Sequence, residues 1–289
     1  MKTRNWLQRT IVCSILLWGV AVHSAEEMDR LAQAQAKGVL TACIDPYSYP
    51  ASAHASEPLG YDVEIVKRIA RLAGLKPMFY WADMGTRGGL GRALRDSIVK
   101  GRCDFFMGLS DTAEDLETMG DEAGPGEEVE KQHLAFTHPY LGQAYVLLVQ
   151  GSADKIKDIK DLKGTGIKTG VQMATPVDAY FFDNEYPRSL YFRNHEIMKA
   201  LADGEIDAAM LWSPQIAIAR KDFPNARFHP AAGFVPERAL RFNSAIAVPE
   251  ADAKLWTFLD ESIGKLLAHG EIQQIVERYG VPFFQPFVN

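Results

Sequence analysis

Cysteine is scarce in this chain. Three occur in 289 residues, and one of them, Cys13, lies in an N-terminal apolar run. There is no Cys-x-x-Cys, no His-Glu-x-x-His and no Gly-x-Ser-x-Gly, so the common signatures of zinc sites, metalloproteases and serine hydrolases are missing. The seven histidines are scattered and nominate no triad. The run Gly164-Thr165-Gly166-Ile167-Lys168-Thr169 lacks the Gly-Lys-[Ser/Thr] order of a phosphate loop, and Ile167–Val171 reads as a strand. The sequence therefore nominates no catalytic residue, no metal ligand and no cofactor, and a non-enzymatic protein is expected. Positive charge is also short. The net charge of −6 argues against a nucleic-acid partner. Long hydrophobic runs are absent apart from Ile11–Val22, which is too short to span a bilayer comfortably.

That run has the marks of an export signal. Lys2, Arg4 and Arg9 precede it, and Val22 and Ser24 satisfy the small-residue rule for cleavage after residue 24. Residues 1–24 read as a signal peptide, the mature chain as periplasmic and without a transmembrane segment. Cleavage would remove three basic and no acidic side chains, taking the net charge from −6 to −9. Cys43 and Cys103 would remain, each at a strand-like stretch. A disulfide and two buried free thiols are both open to such a pair; an oxidising compartment favours the bridge.

What is present is a repeated grammar. Leu94–Gly108, LRDSIVKGRCDFFMG, reads as the end of an amphipathic helix, a glycine stop at Gly101, and a buried strand. MKALADGEIDAAML, starting at Met198, repeats it, with Gly204, Asp207 and Met210 standing where Gly101, Asp104 and Met107 stood. Two α/β units of similar build are expected, meeting across a cleft. Strands are expected at Val39–Ile44, Met78–Trp81, Phe105–Leu109, Ala144–Val149, Gly166–Val171, Ala208–Trp212 and Arg241–Val248. Among the helices, Asp62 is expected to cap one that carries Val63, Val66, Ile69, Ala70 and Ala73, and Thr175-Pro176 to open another. Strands alternating with helices imply largely parallel sheets, whose ligands gather at the carboxyl ends of strands. The stretch 111–130, with nine carboxylates, does not match a calcium loop and reads as a solvated loop or docking surface.

Five segments, GYDVEIVKRIARLAG, LRDSIVKGRCDFFMG, FTHPYLGQAYVLLV, IKDIKDLKGTGIKTGVQ and LDESIGKLLAHGEIQQIVERYGVP, resemble in order the pattern of family 3 extracellular solute-binding proteins. The resemblance implies a type II periplasmic binding protein fold, α/β and two-lobed, each lobe a mainly parallel sheet flanked by helices. Lobe one would comprise 25–143 with 242–289, and lobe two 147–238, with hinge crossings near 143–146 and 239–243. YWADMGTRGGLGRAL, GEIDAAMLWSP, the YGVP near the end and the positions of Cys43 and Cys103 further resemble the J proteins of methanol oxidation, MxaJ and XoxJ. That narrower likeness implies an accessory protein assisting maturation or activation of a PQQ-dependent methanol dehydrogenase of the calcium or lanthanide type, with its cytochrome c a possible further partner. The alternative is the receptor of an ABC importer for a small molecule other than a standard amino acid.

The departures from the amino-acid-binding pattern carry weight. Those proteins place an Arg shortly after the strand matching Phe105–Leu109, to pair both oxygens of an α-carboxylate. Here Ser110-Asp111-Thr112-Ala113-Glu114-Asp115 contains none, and Trp212 stands near the position of the acid that would hold an α-amino group. The cleft residues expected are Tyr47, Tyr49, Trp81, Arg87, Ser110, Asp111, Thr175, Trp212 and Ser213, with Phe136 and Tyr140 as further aromatic candidates. The Gly85–Gly91 loop with Arg87 is open to two readings, an anion cradle and a flexible turn.

Overall fold

The computed structural model describes residues 28–85, 87, 89–110 and 134–288. The expected signal segment 1–24 and the acidic stretch 111–130, with Asp111, lie outside the described residues.

The elements are α1 (Arg30–Lys37), β1 (Val39–Ile44), a small hairpin of β2 (Tyr47–Ser48) and β3 (Ser52–Ala53), α2 (Tyr61–Leu72), β4 (Lys76–Trp81), α3 (Gly89–Leu94), β5 (Phe105–Ser110), β6 (Leu134–Phe136) and β7 (Leu141–Val149). They continue with β8 (Thr169–Gln172), α4 (Pro176–Asp183), β9 (Ser189–Tyr191), α5 (Asn194–Ala202), β10 (Ala208–Trp212), α6 (Ser213–Asp222), β11 (His229–Pro230), β12 (Arg241–Pro249), α7 (Ala253–Ala268) and α8 (Glu271–Arg278). A π-helical turn at Arg95–Val99 extends α3. No helix among the described residues is long and apolar enough to cross a membrane.

The strands lie in the order β4-β1-β5-β12-β7-β10-β8-β9, with β6 on β12 and β11 on β7. Each end of this order is parallel: β4, β1 and β5 at one end, β10, β8 and β9 at the other. β12 and β7 join the two ends antiparallel. Residues 141–144 of β7 pair with 241–244 of β12, while 145–149 turn to β10. β12 in turn pairs with β5 over Ser244–Ala247. β7 begins three residues earlier than its apolar run suggests, because Leu141–Gln143 find a backbone partner in β12 that sequence does not show.

Two cores follow from the pleat. Along β1, β5 and β12, Leu40, Ala42, Ile44, Phe105, Met107, Ile246 and Val248 face one layer with α2, α7 and α8. The alternate residues Cys43, Phe106 and Ala247 face the other layer with Ala93, Leu94 and Ile98, joined by Leu109, which lies past an irregularity in the β5–β12 register. The second sheet divides the same way: Leu147, Val149, Ala208 and Met210 on one face, Val146, Leu148, Ala209 and Leu211 on the other. A strand covered on both faces must be apolar at every position, which is why these segments read as continuous apolar runs.

The repeated grammar has a structural basis. Gly101 and Gly204 both have positive φ, 65° and 75°, and turn the chain out of a helix. Asp104 then receives Thr41 N–H at 2.7 Å and returns its own N–H to Thr41 O at 2.8 Å. Asp207 does the same with Lys168, at 3.0 and 2.9 Å. Each aspartate thus locks its strand to the parallel neighbour before the ladder begins.

The cysteines form a disulfide, Cys43–Cys103, with Cα atoms 5.5 Å apart. One expectation fails. Asp62 does not cap α2; Gly60 occupies that position without a side-chain bond, and Asp62 lies inside the first turn, buried. A capping carboxylate needs access to free amides, and this one points into the protein, where Tyr140 donates to it at 2.8 Å.

Candidate functional site

On the first sheet, β1 ends at Ile44 and Asp45 follows it. Its carboxylate accepts Tyr47 N–H at 2.9 Å and the Ser48 hydroxyl at 2.8 Å, turning the chain into the β2–β3 hairpin. That turn throws Tyr47 outward, 76% exposed. Tyr49 lies on the same hairpin, with the Lys221 ammonium of α6 5.7 Å from its ring centre. Trp81 ends β4 and rests against His54, ring centres 4.9 Å apart. Ser110 ends β5, opposite Ser244 of β12.

Arg87 is exposed in the turn after β4, and its carbonyl accepts from Arg92 at 3.3 Å. The Gly85 amide is spent on Asp83, at 2.8 Å. That carboxylate takes a donor an anion cradle would need and brings a repelling charge, so the turn reading fits better.

On the second sheet, Trp212 ends β10 directly opposite Tyr145 of β7. Their ring centres are 5.3 Å apart, and Phe242 of β12 approaches Trp212 at 5.4 Å. Tyr145, Trp212 and Phe242 form an aromatic wall where β7, β10 and β12 meet. Thr175 stands beside it as the N-cap of α4: its hydroxyl donates to Gln172 O at 2.6 Å, accepts Asp178 N–H at 3.4 Å, and bonds with the Tyr145 hydroxyl. Burial raises the Tyr145 pKa above the usual phenol value, against the opposing Thr175 bond.

Ser213 is buried, and its hydroxyl accepts Ala144 N–H at 3.3 Å, so it ties the start of α6 to β7. Tyr140 is buried against Asp62, and Phe136 packs beside the disulfide core while its carbonyl accepts the Trp256 indole N–H at 2.8 Å. These two aromatics belong to the packing of the first half.

The two halves touch at Ala217 of α6, which packs on Gly280, and at Lys221 over Tyr49; at the crossing itself the Gln143 amide donates to the Tyr61 hydroxyl at 3.0 Å. Sequence reasoning missed Tyr145, Phe242 and Gln143. They lie in the expected hinge crossings rather than among the expected cleft residues, and it is the register of β7 against β10 and β12 that brings Tyr145 and Phe242 to Trp212. Among the described residues no group of three or more His, Cys, Asp or Glu could hold a metal. A cavity of about 490 Å³ opens elsewhere, between α2 and α8, lined mainly by Arg68, Glu271, Glu277 and Arg278; it contains none of the candidate residues.

The arrangement offers aromatic faces and the hydrogen-bonding capacity that Gln143 keeps beyond its bond to Tyr61, the Thr175 hydroxyl being engaged by Gln172, Asp178 and Tyr145. It suits a flat or apolar group carrying a few hydrogen-bonding atoms. Two sheets of like build joined by two crossing strands, with candidate residues at the carboxyl ends of β4, β5 and β10, constitute the two-lobed type II periplasmic binding protein fold.

Solved structures agree on that fold. The L-cystine solute receptor of Neisseria gonorrhoeae in its unliganded open conformation superposes with a TM-score of 0.65 at 18% identity, covering 86% of this chain and 95% of the receptor. An ancestral cyclohexadienyl dehydratase gives 0.63 at 17% identity, covering 87% and 96%. In sequence, the chain is 24% identical over 221 residues to the probable ABC transporter extracellular-binding protein YckB of Bacillus subtilis, covering 71% of this chain and 67% of that protein. No protein-family model matches the chain.

Proposed function

We propose that this chain is an extracytoplasmic solute-binding receptor of the ABC-importer type, and that its ligand is not a standard amino acid. The likeness to YckB, an extracellular-binding protein by its name, supports the first part. The observation that carries the second is the wall of Tyr145, Trp212 and Phe242 at the end of β10, together with a sequence from Ser110 to His133 that contains no arginine. A zwitterion would meet an indole in place of an anion, and would lack the guanidinium that clamps its carboxylate. Lobe one, residues 25–143 with 242–289, would present Trp81, Tyr49 and Ser110 across the cleft from Thr175 and Trp212 of lobe two, 147–238. Export through the 1–24 signal would place the receptor in the periplasm.

A thermal-shift screen of the full chain tests this reading. A stabilising shift is expected with an aromatic or uncharged metabolite, lost in Trp212→Ala, and none with the standard amino acids. A clear shift with any one of these amino acids overturns it.

A second reading is an accessory role for a PQQ-dependent methanol dehydrogenase. Its support is the J-protein likeness around Trp81, Arg87, Trp212 and Pro214, and Tyr47, which is 76% exposed at the rim, where a protein partner would meet it. Co-purification with the dehydrogenase or its cytochrome c, weakened by Tyr47→Ala, would favour it; an eluate without either sinks it.

A further inference from the structure

After α8 the chain leaves the helical layer. Gly280, with φ 76°, turns it, and Val281 enters the core of the first sheet. Phe283 packs on that same core, but Phe284, the next residue, packs on a core of the second sheet. Consecutive rings are thus seated in opposite halves of the molecule.

The backbone between them lies against both crossing strands. Phe284 O accepts Gly142 N–H at 3.0 Å, an isolated antiparallel bridge to β7. Directly opposite Gly142 in the β7–β12 pairing is Asn243. Its side chain grips Phe287 at both ends: Asn243 Nδ2 donates to Phe287 O at 3.0 Å, and Phe287 N–H donates to Asn243 Oδ1 at 2.8 Å. Next to it, the Arg241 guanidinium lies over the Phe287 ring, 5.0 Å from its centre. The fit leaves no space. A Cβ on Gly142 would come within 2.6 Å of Gln285 O and 2.9 Å of the Phe287 ring.

We propose that residues 282–287 form a strap across the two crossing strands that sets the angle between the halves. One half cannot rotate about 141–144 and 241–244 without drawing Phe283 away from Phe284 or peeling the segment off Gly142 and Asn243. The strap therefore favours one inter-lobe angle, and an occupant that needs another angle loses affinity in proportion to that bias. The proposal concerns the empty protein and does not depend on what enters the cleft.

The test uses spin labels on the outermost strands, β4 and β9, at the ends of the longest lever. Exposed Met78 and Leu190 are replaced by cysteine with the native disulfide kept, and the inter-label distance distribution of the unliganded full chain is measured. Phe287→Ala and Asn243→Ala are expected to shift its mean by several ångström or broaden it clearly, with near-UV circular dichroism unchanged. Gly142→Ala should act in the same direction. Should it fail to fold, Phe287→Ala decides, since its ring lies outside both sheets. Folded Phe287→Ala and Asn243→Ala chains with the parent's distribution would overturn the strap.

Discussion

Asp62 is the residue whose chemistry departs furthest from its surroundings. It is 3% exposed, and burial pushes its pKa up to about 7, against the Tyr140 hydroxyl, which donates to the carboxylate and favours the charged form. Tyr61 and Tyr140 face it, with phenols that burial also holds well above their usual value, and Gly108 approaches so closely that a Cβ there would lie 2.9 Å from Oδ2. No cation is among these neighbours. The sign follows from proton uptake: between the unfolded value of 3.8 and about 7 the folded state binds more protons, so stability falls as pH rises through that window. Asp62→Asn keeps an oxygen for Tyr140 and removes the proton. Urea unfolding from pH 4 to 8 should show the parent losing on the order of a few kcal/mol relative to Asp62→Asn. Parallel curves for the two chains would refute the assignment.

At the scale of the element, the informative unit is the helix, glycine, aspartate and strand written twice. Asp104 and Asp207 each satisfy an amide at the start of a neighbouring parallel segment, Thr41 and Lys168. Removing the carboxylate strands that amide, which costs about 1–3 kcal/mol where it is buried. Asp104→Ala should cost more than Asp207→Ala, because Asp104 lies in a more enclosed place: burial raises its pKa despite the Thr41 bond. Asn at either position should recover part of the loss. Equal, near-zero effects in denaturant titration would show that the motif is only a sequence coincidence. The same units are legible in the sequence, since φ > 0 after a helix selects glycine and a doubly covered strand selects apolar residues. The β2–β3 hairpin and β9 are not, being strands of two or three residues whose existence depends on their partners. Asp62 reads as a cap for a related reason: a Gly-Tyr-Asp start fits both a cap and a first turn, and only the direction of the side chain separates them.

At the scale of the whole molecule, the Cys43–Cys103 bridge closes 60 residues within the first half. Chain-entropy arguments put its contribution at about 4 kcal/mol. Both cysteines are buried, so reductant alone should act slowly and denaturant with reductant quickly. Cys43→Ala/Cys103→Ala should lower the denaturant midpoint of the first half while leaving the second, which holds no cysteine, near its parent value. A uniform drop in both would mean that the halves unfold as one body. The comparisons carry the fold across most of the chain, whereas the narrower J-protein likeness rests on its motifs.

The sequence by itself determined the two α/β units, most strand positions and the stops between them. These follow from local periodicity and backbone preference, which neighbouring residues encode. Only the tertiary structure decided that Tyr145 and Phe242 stand with Trp212, that Ser213 and Tyr140 serve the packing, and that the last described residues lie across both crossing strands. Those facts depend on register between segments up to 142 residues apart, Gly142 to Phe284, and a one-residue slip would turn each strand side chain to the opposite face.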